Sequence, residues 1–218
     1  HFLKGINMRE TRLFNDNWKF IKIEPGTTGY ENSESWVNVD IPHDWLIYDT
    51  NNLYEDSEGW YRKTFDLQTE TGVRYALRFD GVYMEPVIYV NGAKAGEWKY
   101  GYNTFEIDIT DYLVNGANEI RVQVMHRSPN SRWYSGAGIF RNIWFKTMPD
   151  THFVSDGIYI RTERTDTGYM LKASSEISGS EFDAVAYTVF DMNGTAVVSK
   201  TTDAAADTVE IEVESPDE

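Results

Sequence analysis

The chain has 218 residues, with 35 acidic against 20 basic side chains, a formal net charge of -15 and no cysteine. Disulfides, thiolate metal sites and a cysteine nucleophile are therefore excluded, and a field of this sign repels phosphate backbones and anionic headgroups, so neither nucleic acid nor a membrane is an expected partner. Hydrophobic residues make up 41%, in runs too short to span a bilayer, and the length leaves room for one large domain or two modest ones, each with its own core.

The first residues lack the basic segment, apolar stretch and small-residue cleavage site of a secretory signal. If Met8 is the natural initiator, HFLKGIN before it is foreign to the protein and a protein so begun is expected in the cytoplasm; the alternative is a mature exported protein trimmed of its signal. Further on, apolar and polar residues alternate with period two: Tyr75, Leu77 and Phe79 against Arg74, Ala76 and Arg78, then Phe105, Ile107 and Ile109, then Ile120, Val122 and Val124. Each run predicts a strand with one buried face. Asn91-Gly92, Asn115-Gly116 and Asn193-Gly194 predict tight hairpins, since these residues tolerate positive φ. No long stretch keeps helical spacing, so an antiparallel sandwich or jelly roll is expected.

Near Met148-Pro149-Asp150-Thr151 the aromatic density gives way to Ala, Thr, Ser and Glu. This predicts one domain over 8–148 and a second over 151–218. In the second, strands are expected at 154–162, 168–176, 183–190, 195–202 and 207–213, with Val185, Tyr187 and Val189 on one inward face. Five strands fall short of a seven-stranded immunoglobulin-like sandwich, so this domain is expected to be incomplete within 218 residues and less ordered than the first.

The order of the motifs IPHDW (41–45), GWYRKTF (59–65), FDGV (79–82), YVNG (89–92), GYNTFEIDIT (101–110) and RWYSGAGIFR (132–141) resembles the amino-terminal domain of glycoside hydrolase family 2. The likeness is strong over roughly 11–147, and IPHDW with RWYSGAGIFR looks most like the β-galactosidase branch. It implies an all-β chain: a jelly-roll, galactose-binding-like β-sandwich followed by an incomplete immunoglobulin-like β-sandwich. In the family a barrel carrying the catalytic carboxylates comes next, so the implied partners are a terminal β-galactoside and the barrel of the same parent chain, in a parent that could be a homo-oligomer.

Retaining glycosidases need two carboxyl groups about 5 Å apart, and no barrel to hold such a pair is legible here. Asn118-Glu119 copies the family's acid/base dipeptide but reads as a solvated turn beside a strand. His1, His43, His126 and His152 are scattered without metal-ligand spacing, no phosphate loop or serine elbow is present, and no cofactor or metal is expected. What remains is carbohydrate contact, which needs aromatic faces for CH groups and planar polar groups for hydroxyls. The family likeness singles out Arg132 and Trp133, then Asn130, in a loop that reaches toward the barrel, and Asp44 in IPHDW. Arg132 and Trp133 are open to a packing role as well. Trp45, Trp60 and Tyr61 read as packing residues, and Arg62 and Arg141 as internal ion pairs. The leading expectation is thus a non-catalytic amino-terminal part of a glycosidase; a free-standing carbohydrate-binding or adhesion module and a purely structural sandwich for oligomer assembly are the alternatives.

Overall fold

A computed structural model describes residues 9–131, 133–179, 182–203 and 208–214; Met8 lies outside them. The chain divides into two compact units, His1–Pro149 and Asp150–Glu218.

The first unit is built from β1 (Glu10–Leu13), β2 (Trp18–Ile23), β3 (Val37–Val39), β4 (Ser57–Leu67), β5 (Val73–Phe79), β6 (Val87–Val90), β7 (Ala93–Glu97), β8 (Phe105–Asp108), β9 (Gly116–His126) and β10 (Ile143–Pro149). One sheet has six strands in the order β3-β2-β4-β9-β6-β7, the other four in the order β1-β10-β5-β8. Every pairing is antiparallel. The period-two runs become the inner faces: Ile120, Val122 and Val124 of β9 and Leu77 and Phe79 of β5 are all 0% exposed. Between the sheets, Phe14, Trp18, Phe20, Tyr61, Phe105 and Phe145 form a continuous aromatic core. Removing each such side chain from water contributes about 1.5–3 kcal/mol. This is the all-β sandwich that the motifs implied.

Two turn readings diverge. Asn91-Gly92 does close the β6–β7 hairpin, with both residues in the left-handed region (φ 51° and 84°), as a type I′ turn requires. Asn115-Gly116 closes no hairpin, because β8 and β9 lie in different sheets. The Asn115 side chain instead accepts hydrogen bonds from the backbone amide and hydroxyl of Thr69. The solvated turn expected at Asn118 is also corrected. Asn118 is 2% exposed and its amide bonds Val114 at both backbone groups and Gly116 at its carbonyl. A buried amide satisfied on every side fixes the entry into β9.

The second unit contains β11 (His152–Arg164), β12 (Gly168–Ser178), β13 (Ala184–Phe190), β14 (Ala196–Asp203) and β15 (Val209–Glu214), close to the five strands read from the sequence. They form a three-stranded sheet, β11-β12-β15, and a two-stranded one, β13-β14. Val185, Tyr187 and Val189 do share a face, lining with Leu171 and Ile211 an apolar groove of about 300 Å³. Among the described residues no helix is long and apolar enough to cross a membrane.

Candidate functional site

The segment 134–139 is clamped edgewise against two other loops. Trp45 N–H donates to the Ala137 carbonyl (3.0 Å), His43 N–H to Ile139 (2.8 Å), and Tyr83 and Gly138 exchange two bonds of 2.9 Å. Gly138 is essential to this packing. It sits at φ 128°, and a Cβ there would lie 2.5 Å from both the His43 carbonyl and the Tyr61 hydroxyl. The sequence uses glycine because two backbones and a tyrosine meet at that point.

The same clamp brings IPHDW to RWYSGAGIFR. The Tyr134 hydroxyl donates to Asp44 Oδ2, and Leu46 N–H donates to Asp44 Oδ1 at 3.0 Å. Burial first, and then the adjacent Asp44 carboxylate, push the Tyr134 phenol above its ordinary range. It therefore stays protonated and can hold the carboxylate. Beneath this pair, Tyr61 is fully buried, with its hydroxyl 2.8 Å from His43 Nδ1. Desolvation raises the Tyr61 pKa and lowers that of His43, which Asp44 opposes.

Of the four residues singled out from the sequence, Asp44 is anchored as described. Trp133 projects with 67% exposure, its carbonyl accepting from the Ser131 hydroxyl. Asn130 turns its amide to the Arg127 carbonyl within its own loop. Arg132 lies outside the described residues. Tyr102 also reaches this loop, donating its hydroxyl to the Ser135 carbonyl at 3.0 Å. The fully enclosed His126 bonds the Glu55 carbonyl at 2.6 Å through Nδ1 and lies 3.5 Å from the Ser135 hydroxyl through Nε2. Sequence reading passed over Tyr102, Tyr134 and His126 as supports; the aromatic next to Trp133 was the available signal. Trp45, Trp60 and Tyr61 pack as expected, at 7%, 7% and 0% exposure. The partner found for Arg62 is a ring, Trp36, at 4.5 Å from its centroid. Arg141 likewise lies over Phe140, so both are cation–π contacts in place of the expected ion pairs.

The result is an aromatic and carboxylate-bearing segment of the sandwich beside the exposed Trp133 ring. Across residues 18–149 the chain matches the family model described as glycosyl hydrolases family 2, sugar binding domain. The chain belongs to glycosyl hydrolases family 2. It is 34% identical over 177 residues to the β-galactosidase BoGH2A of Bacteroides ovatus, covering 74% of this chain and 21% of that protein. It is 30% identical to a β-glucuronidase of Formosa agariphila, covering 66% of this chain and 18% of that one. A solved β-glycosidase from Bacteroides vulgatus superposes with a TM-score of 0.78 at 28% identity, covering 95% of this chain and 29% of that one. The chain spans about a fifth of the length of the curated family 2 relatives it matches.

Proposed function

We propose that this chain is the non-catalytic amino-terminal part of a β-galactosidase, and that its 130–136 loop, steadied by Asp44, forms one wall of the terminal-sugar pocket on a catalytic barrel. The observation that carries this reading is the Tyr134–Asp44 contact, which ties the loop bearing the exposed Trp133 to the IPHDW segment. Trp133 would stack on the sugar's CH face, with Arg132, Asn130 and Asp44 as hydroxyl partners. A galactoside is favoured over a glucuronide by the likeness of IPHDW and RWYSGAGIFR to the β-galactosidase branch.

The 218-residue chain alone is expected to leave 4-nitrophenyl β-galactoside intact, since it supplies neither acid nor nucleophile. The full-length parent should hydrolyse that substrate at least about tenfold better, in kcat/KM, than the glucuronide. In the parent, Trp133→Ala should lower kcat/KM for the galactoside by roughly tenfold or more. Turnover by the isolated chain, or a full-length parent indifferent to Trp133→Ala, overturns the reading. Micromolar galactose binding by the chain alone would instead indicate a free-standing binding module.

A further inference from the structure

On the outer face of the six-stranded sheet lies a groove of about 530 Å³, lined by Glu58, Glu85, Glu97, Trp98, Gln123 and Arg127 among others. The strand register lays it out. Glu97 pairs with Val87, Val87 with Gln123, and Gln123 with Trp60, so these side chains stand in one row across four strands about 4.8 Å apart. Met84 and Met125 exchange backbone bonds of 2.9 Å, whereas Val87 faces Gln123. One extra residue is thus inserted on the β6 side, and Glu85 in that bulge sits at φ 50°. A left-handed glutamate is costly, and bulges re-aim side chains; here the carboxylate lines the groove.

The polar groups are positioned before any ligand arrives. Glu58, 5% exposed, accepts from Gln123 Nε2 (2.7 Å), Trp60 Nε1 (2.6 Å) and the Gly26 amide (3.1 Å). The Gln123 amide is thereby oriented, leaving its carbonyl oxygen as an acceptor. Glu85 pairs with Arg127 at 3.4 Å and Glu97 with Lys94 at 2.6 Å, and with Lys99 also in the lining three cations match the three carboxylates Glu58, Glu85 and Glu97. At its edge the Trp98 ring stacks on Phe105 (5.5 Å, 9°), which stacks on Phe79 (4.9 Å, 10°). Phe79 is 0% exposed and Trp98 38%, so a surface ring is held by a stack rooted in the core. A fixed aromatic face beside planar donors and acceptors of balanced charge suits a neutral ligand that has apolar CH faces and many hydroxyls.

We infer that this groove binds a neutral oligosaccharide, with Trp98 as the stacking platform and Gln123, Glu85 and Glu97 as hydroxyl partners. Among the described residues the groove and the 130–136 loop share no lining side chain, and the inference stands or falls independently of the β-galactosidase reading.

The test titrates the 15N-labelled 218-residue chain with β-1,4-galactotetraose, cellotetraose and, as a charged counterpart, tetragalacturonate. The chain's seven tryptophans each give an indole resonance. A neutral tetrasaccharide should shift the Trp98 indole saturably, with a dissociation constant of about 1 mM or tighter. Gln123→Ala should weaken that titration about tenfold. Trp98→Ala should abolish the calorimetric heat while the six other indole signals keep their positions, which separates lost binding from lost folding. No saturable Trp98 shift with either neutral tetrasaccharide at about 10 mM, tighter binding of tetragalacturonate, or a shift confined to Trp133 would overturn the inference.

Discussion

Tyr134 donates its hydroxyl to the carboxylate of Asp44 across 90 residues of sequence, and through that bond two separate motifs share one end of the sandwich. A hydrogen bond to a charged acceptor contributes about 1.5–3 kcal/mol, so removing it should free the loop locally and leave the distant core intact. In Tyr134→Phe, amide exchange over 133–136 should accelerate by roughly tenfold or more, with exchange at Ile120, Val122 and Val124 unchanged. Equal protection of the loop in wild type and variant would show that the bond does not hold it.

Gly138 and Gly92 both lie at positive φ, 128° and 84°, but only Gly138 is crowded, with a Cβ due 2.5 Å from two oxygen atoms. Gly92→Ala should therefore cost only the backbone term of about 1–2 kcal/mol. Gly138→Ala should cost about 3 kcal/mol or more, because a carbonyl and a fully buried tyrosine must also move. All seven tryptophans precede residue 150, so urea denaturation followed by tryptophan fluorescence reports the first unit alone. Similar midpoints for the two variants would contradict the packing described at Gly138.

His43 gives a pH dependence of defined sign. Burial lowers its pKa from the ordinary 6.5, and the Asp44 carboxylate only partly opposes this. The unfolded chain thus takes up a proton near 6.5 that the folded chain resists, so this contribution is full above that pH and is lost as pH falls toward the folded value. Once the ring is protonated, Nδ1 can only donate toward the Tyr61 hydroxyl, 2.8 Å away. The melting temperature should drop between about pH 7 and about pH 5, and His43→Gln should flatten part of that drop. A variant with the wild-type pH profile would remove His43 as its source.

The second unit has a thinner core. Its buried apolar residues among those described are Ala173, Val185, Val209, Ile211 and Val213, and Ile158, Tyr159 and Ile160 are more than half exposed. Amides of β13, β14 and β15 should exchange about 100-fold faster or more than those of Ile120, Val122 and Val124 in β9. Equal protection in a demonstrated monomer would mean that this unit is stabilised by more than its buried area indicates.

The period-two runs at 73–79 and 120–124 decided which faces are buried, because alternation follows from the pleat alone. Local chemistry likewise determined the Asn91-Gly92 turn and the five strands after residue 150. The ordered motifs, taken together, identified the family. Local pattern names a face and never its partner, so the pairing of β4 with β9, the placement of β8 and β9 in different sheets, and the burial of Asn118 and Glu58 were decided only in three dimensions. The same holds at the site. The sequence offered Asp44 and Trp133 as separate candidates, but only the close approach allowed by Gly138 brings Tyr134 onto Asp44, and only the stack from Phe79 through Phe105 fixes Trp98 at the outer groove. The Tyr134–Asp44 and Phe79–Phe105 contacts join residues 90 and 26 positions apart, and chain closure over such distances is a property of the packed sandwich, which no local window of sequence contains.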